Sequence, residues 1–400
     1  MKFLEKVELV KIIERSSTLV ERLDSRFLLD DTSVSDDIVN YRIERWCQNA
    51  AKGNIEKFQK RLSWDGLTLS SVRRVLGSVY LKDTQNLPFW VETFKAGIEA
   101  AALISVETLE HEEAYPCLDS QNPIPFEEVF LPFIQIARQK LIAQTGKSYY
   151  CLTTEVHVDL ERSLLGSLAN LCSRAMQLKF SAFRARRQSS LSRLLGQLQN
   201  GYPKTQYRVF IKEMLQDGEL LIFFQEYPVL ARLVATVTDF WVNSIGEFIQ
   251  RLAADLSDIQ QTFQPNTELG QVEHINPLMS DPHNQGRSVI GVGFASGLKL
   301  IYKPKDLGLE VAYFQLLDWC NQQEFPLPFK LIKVLNRSAY GWVEFVEYLP
   351  CQNQEEIKRY YQRSGQLLCL LYILGATDCH HENLIACGEH PVLVDLETLM

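Results

Sequence analysis

The chain has 400 residues, 46% of them hydrophobic, and a formal net charge of −8. That is enough apolar material for a large core and enough length for two or three domains, and the acidic balance argues against a general nucleic-acid binder. Its nine cysteines, at positions 47, 117, 151, 172, 320, 351, 369, 379 and 387, are odd in number and show no CxxC spacing, which predicts reduced thiols in a cytoplasmic protein.

In chain order, the opening MKFLEKVELVKIIERSS alternates charge with apolar residues, and the longest apolar run, LLCLLYILGA (367–376), is too short to span a bilayer. Neither secretion nor membrane insertion is expected. Up to about residue 265 apolar residues recur at threes and fours, as in PFEEVFLPFIQIARQKLIAQTG (125–146), so this region reads mostly as helices. Between Arg162 and Lys212 there is no Asp or Glu, while Arg174, Lys179, Arg184, Arg186, Arg187, Arg193, Lys204 and Arg208 fall within the stretch. It reads either as a solvated helical face or as a docking surface for an acidic partner.

The texture changes near residue 264, where QPNTELGQVEHINPLMSDPHNQGRS carries turn-forming residues at high frequency. A domain boundary is expected there, giving a helical region, 1–265, and a second domain, 266–400. Within the second, SVIGVGFASGLKLIYKPK (288–305) predicts two strands joined at Ser296-Gly297. A helix over 307–323, the strands FKLIKVLNR and YGWVEFVEYL, and the long helix QEEIKRYYQRSGQLLCLLYILGA follow. Last comes TDCHHENLIACGEHPVLVDLE (377–397), in which LIAC, a turn GEHP and VLVDLE form a short hairpin.

A hairpin, a lysine at a strand end, a helix, two strands, a long helix and then an Asp loop with a second acidic site is the order protein kinases use. Asp378 and Asn383 stand at the Asp-x4-Asn spacing of a kinase catalytic loop, and the hairpin brings Asp395 and Glu397 to the same end. Moving a phosphoryl group from ATP needs hard oxygen ligands for magnesium, a base near the acceptor and a cation on the inner phosphates. The cation is assigned to Lys303, with Lys305 as fallback, and Glu310 in the following helix is placed to pair with it. The turn SDPHNQGRS (280–288) is expected to cover the phosphates with backbone N–H groups, Gly286 among them, and with Arg287. An alternative chemistry is a metal-dependent hydrolase with Asp378, His380, His381 and Asp395 around zinc or a similar ion; adjacent histidines on an extended backbone diverge, and this reading leaves Lys303 without a role.

SDPHNQGRSV, SGLKLIYKPK, YGWVEFVEYLPC and YYQRSGQLLCLLYILGATDCHHENLIACGEHPVLVDLETL together resemble the dehydratase domain of class II lanthipeptide synthetases, densely from 270 to 400, and YPVLARL and PFEEVFLPFIQIAR resemble its amino-terminal part. The resemblance implies an α+β fold: a mostly helical amino-terminal region for activation or peptide docking, then an atypical, lipid-kinase-like N-lobe and catalytic loop. It implies an enzyme that uses ATP and Mg2+ to phosphorylate Ser and Thr of a ribosomally made precursor peptide, then eliminates phosphate to leave dehydroalanine and dehydrobutyrine. By motif match, Lys303 binds phosphate, Asp378 is the base supported by His380, Asn383, Asp395 and Glu397 hold or support the metal, and backbone around Phe345, Val346 and Glu347 meets adenine. The family continues for several hundred residues past the equivalent of Glu397, with an Arg and a Thr for elimination and a zinc-bearing cyclase domain. The chain is therefore expected to be the amino-terminal part of a synthetase, truncated in the C-lobe. It would act with the missing carboxy-terminal part or survive as a non-catalytic remnant that binds peptide or a partner chain, and it should expose apolar surface unless another chain covers it.

Overall fold

The computed structural model describes residues 6–23, 26–30, 36–105, 114–187, 204–323 and 325–398; Arg193 lies outside them. The fold is α+β. By internal contacts the chain divides into two compact units, 1–139 with 164–239 and 140–163 with 240–400. Among the described residues no single helix is long and apolar enough to cross a membrane.

The first unit is built on helices. α1 (Lys6–Ser16) buries Leu9, Ile12 and Ile13, one face at a spacing of three and four. α2 (Leu19–Leu23), α3 (Asp36–Ala51), α4 (Ile55–Trp64), α5 (Leu69–Val75) and α6 (Trp90–Ala101) follow, with residues of α7 (Leu131–Thr145), α8 (Thr154–Arg187), α9 (Lys204–Gln216) and α10 (Glu219–Glu226). Edge-to-face ring contacts hold the core together, such as Phe94 on Phe224 with centroids 5.3 Å apart. A two-stranded antiparallel sheet of β1 (Phe27–Asp30) and β2 (Ser78–Leu81) was not expected; each strand is a four-residue insert between helices. The basic stretch finds acidic partners within this unit. Lys179 lies 3.6 Å from both Glu219 and Glu226, and Arg187 pairs with Glu213.

The second unit contains a five-stranded sheet in the order β3 (Val272–Asn276), β4 (Ile290–Phe294), β5 (Lys299–Lys303), β7 (Gly341–Glu344), β6 (Val334–Asn336), every neighbouring pair antiparallel. The hairpin at Ser296-Gly297 is present. Strand β3 was not anticipated, because VEHIN buries only Val272 fully and lies at the sheet edge between turn-forming residues. The predicted strand FKLIKVLNR is reduced to Val334–Asn336; at its start Phe329 N donates to Asn321 Oδ1 at 2.7 Å instead.

Strand alternation sends each side of the sheet to a different task. Ile290, Val292, Phe294, Leu300, Tyr302 and Trp342 pack on one face against Val156 and Leu160 of α8 and against Phe248, Ile249, Leu252 and Ile259 of α11 (Pro228–Phe263). Trp342 is fully buried, and its indole donates to Asp255 Oδ2 at 2.8 Å, while Arg337 donates to Asp255 Oδ1 at 3.0 Å. The buried carboxylate is thus paired, as burial of a charge requires. The opposite face carries Ile301 and Lys303. Below it, Tyr313, Leu317 and Cys320 of α12 (Gly308–Gln322) pack with Leu367 and Leu371 of α13 (Gln354–Ile373) and with Leu393 and Leu396. A hairpin of β8 (Leu384–Cys387) and β9 (His390–Leu393) completes the unit; its turn is tighter than expected, with His390 and Pro391 already in the second strand.

Candidate functional site

The site begins where β5 ends. Lys303 leaves the strand on the face opposite the core, Pro304 and Lys305 carry the chain outward, and α12 starts at Gly308. This turn is anchored: Asp306 Oδ1 accepts from Gly308 N at 2.8 Å and from Asn336 Nδ2 at 2.9 Å, and Leu307 N donates to Asn336 Oδ1 at 3.1 Å. Gly341 of β7 makes room for it, since a Cβ there would sit 2.4 Å from Leu307 Cδ1 and 2.6 Å from Leu335 O. Glu310, in the first turn of α12 where a carboxylate suits the helix dipole, faces back to Lys303 with Oε1 3.5 Å from Nζ. The pairing expected from position is present, as an ion pair longer than a close hydrogen bond.

The two lysines differ in environment. Lys303 is almost fully buried and donates to Val394 O at 2.7 Å. Burial lowers its pKa, and the nearby Glu310 charge opposes that without cancelling it. Lys305 reaches Glu397 Oε1 at 2.6 Å and Asp395 Oδ1 at 3.4 Å. Burial again works against its charge, but the Glu397 hydrogen bond and the Asp395 charge outweigh it, and its pKa is raised.

The second wall grows out of the end of α13. Gly375 adopts φ +62°, Gly375 N donates to Tyr372 O at 3.2 Å and Ala376 N to Leu371 O at 2.9 Å. This is a Schellman ending, and Leu371 and Ala376 join the same apolar cluster. The following loop turns through Asp378, itself in the left-handed region at φ +59°, which Asp tolerates better than most residues. Asp378 O accepts from His380 N and from Asn383 Nδ2, both at 3.0 Å, and Asp378 Oδ1 lies 3.7 Å from His380 Nε2. The amide of Asn383 is so oriented that its oxygen remains to be offered. Ladder bonding continues past the hairpin, with Val394 N donating to Asn383 O at 3.0 Å, so Asn383 and Asp395 are brought to one end.

Between these walls lies a cleft of about 300 Å3. Lys303, Glu310, Asn383 and Asp395 are among its polar groups, with Ser280, Glu344, Tyr348 and Glu382; Ile301, Phe314, Ile332, Val343, Val346, Leu393 and other apolar side chains line much of the rest. Phe345 and Val346 of the segment after β7 line it, and Leu349 N ties that segment to the hairpin through Ala386 O at 3.0 Å. Other expected site residues stand outside the lining. Glu347 is exposed and bonds Lys299 at 2.6 Å. Arg287 is held by Glu247 of α11 at 2.8 Å, Gly286 packs near Phe240, and from the same region Met279 and Ser280 reach the cleft instead. Asp378, His380 and Glu397 flank it without lining it. Among the described residues no three His, Cys, Asp or Glu side chains converge as a metal cluster requires. The alternative zinc set is therefore not assembled: His380 faces Asp378, whereas Asp395 turns to Lys305.

Residues 227–400 match the family model described as a domain of unknown function, DUF4135. The chain is also 27% identical over 275 residues to the lacticin 481/lactococcin biosynthesis protein LcnDR2 of Lactococcus lactis subsp. lactis. The resemblance to class II lanthipeptide synthetases is borne out. The match takes in 65% of this chain and 28% of the relative, so the chain spans less than a third of that protein's length.

The residues that sequence reasoning missed are the apolar lining, Ile301, Val343 and Leu393 among them. Their signal was present in the alternation of KLIYK: Leu300 and Tyr302 go to the core, which leaves Ile301 on the side of Lys303.

Proposed function

We propose that the second unit is the nucleotide-binding, phosphoryl-transferring core of a lanthipeptide dehydratase, with a kinase-like, lipid-kinase-type N-lobe made by the five-stranded sheet and α12. The substrate is a ribosomally made precursor peptide whose Ser and Thr hydroxyls are phosphorylated from ATP as the first step of dehydration. The observation that carries this reading is the Lys303–Glu310 ion pair, between a strand end and the following helix, in one cleft with Asn383 and Asp395. A fixed lysine of this kind holds inner phosphates in kinases.

Roles follow from placement. The apolar lining around Val343, Val346 and Leu393, beside the backbone of Phe345 and Val346, suits a flat purine base. The amide oxygen of Asn383 and the carboxylate of Asp395 are hard donors that fit magnesium, an ion that keeps several waters and takes one or two protein oxygens with phosphate, and Glu397 supports them. Magnesium bound there would neutralise charge on the transferring phosphoryl group. Asp378 takes the hydroxyl proton, and His380 orients it. Ser280 is better placed toward the phosphates than Arg287, which Glu247 holds. The helical region serves peptide docking or activation.

Calorimetric titration of the chain with ATP and magnesium tests the reading, with Lys303→Ala and Asp378→Asn as variants. ATP binding is expected in the parent, to be lost in Lys303→Ala and to persist in Asp378→Asn, which should instead lose peptide phosphorylation in a complete enzyme. Absence of ATP binding by a folded parent chain would overturn it, and strong loss of ATP affinity in Asp378→Asn would remove Asp378 from the base role.

A further inference from the structure

Asp395 and Glu397 already have a cation between them. Lys305 Nζ stands 2.6 Å from Glu397 Oε1, 3.4 Å from Asp395 Oδ1 and 3.8 Å from Glu310 Oε1. Counted with Lys303, three carboxylates surround two ammonium groups, which leaves one negative charge uncompensated. Glu310 is moreover 4% exposed and lines the cleft, and its Oε1 has no hydrogen-bond partner. Both lysines stand within 4 Å of this acceptor, yet neither donates a close hydrogen bond to it, and the cluster holds one carboxylate more than it has ammonium groups.

The two lysines are unequal in freedom. The Lys303 side chain is 10% exposed and is bonded to a main-chain carbonyl. The Lys305 side chain is 33% exposed, makes no contact with a backbone acceptor, and ends a flexible four-carbon stem with a route to solvent. A divalent cation arriving at Asp395 would meet this ammonium at the same carboxylate, and two positive charges compete there.

We propose that Lys305 is a displaceable counter-cation, holding Asp395 and Glu397 until a divalent cation takes its place and so making cation loading depend on the anionic phosphates that draw the ammonium aside. This rests on reading the cleft as a nucleotide and magnesium site. It separates the roles of the neighbouring lysines: Lys303 is a permanent fixture, whereas Lys305 moves.

The test uses Mn2+ as the probe, with free ion measured by electron paramagnetic resonance against the nucleotide-free chain. Lys305→Met and Lys305→Gln are each expected to bind Mn2+ about twofold to fivefold more tightly than the parent, the size set by removing a part-exposed ion pair, and Lys305→Arg is expected to match the parent. Adding ATP should narrow the gap between the parent and Lys305→Met. Circular dichroism melts confirm that each variant is folded. Equal or weaker binding by both Lys305→Met and Lys305→Gln overturns the proposal alone, since the ion then binds without competition. Binding of Mn2+ by none of the proteins overturns it together with the magnesium part of the functional reading.

Discussion

His390 begins β9 with Nδ1 buried and without a hydrogen-bond partner. Burial, joined by the positive charges of Arg363, Lys330 and Arg359, lowers its pKa from the ordinary 6.5, and the Glu389 carboxylate only partly resists. The unfolded chain therefore takes up this proton first as the pH falls. The stability His390 contributes is complete above 6.5 and is lost as the pH drops toward and through its folded value. Urea unfolding of the parent and of His390→Gln at about pH 7.5 and about pH 5 measures this: the variant should lose less stability on acidification, and equal losses would count against the assignment. At the residue scale, polar site groups were the legible part of the sequence. Lys303, Asn383 and Asp395 belong to short motifs with fixed spacing, and all three stand in one cleft. The placement of Arg287 was not legible, because its partner Glu247 lies 40 residues away and no local pattern links them.

Elements followed their signals where the signal was strong. α12 and α13 lie within one to three residues of the expected bounds, since both have long apolar periodicity and clear stops. The Asn353 side chain caps α13 by accepting from Glu356 N at 2.9 Å, and Glu356 returns the bond to Gln352 N. At its other end Gly375 closes the helix and starts the loop that carries Asp378 and Asn383. Gly375→Ala keeps the chain sequence-similar but places a Cβ in the left-handed region, which costs about 1 kcal/mol. The expected result is a destabilisation of about that size in a urea melt, together with weaker ATP binding, because the loop's entry angle changes. A variant as stable as the parent would show that the loop does not depend on this ending. What sequence could not show was the edge strand β3 and the pair β1–β2: short, half-exposed segments become strands only because a neighbour offers a ladder.

At the scale of the whole molecule, α13 presents two apolar faces. Leu367 and Leu371 enter the core, while Tyr361, Leu368, Tyr372 and Ile373 are between 69% and 86% exposed. Exposed apolar surface was expected unless another chain covers it. These outward side chains bury little, so Leu368→Gln with Tyr372→Gln should leave the unfolding free energy within about 0.5 kcal/mol of the parent. Light scattering at high concentration should show less self-association of the double variant; a large drop in stability would mean that this face has a structural role. The sheet holds a different constraint. β5 is a single partition: its even-numbered residues Leu300 and Tyr302 are mortar for the core, and its odd-numbered Ile301 and Lys303 furnish the cleft. Any repacking behind the partition shifts its front. Adaptation to heat or cold through this core is therefore tied to the geometry around Lys303, and sequences that tune one should carry compensating changes in the other.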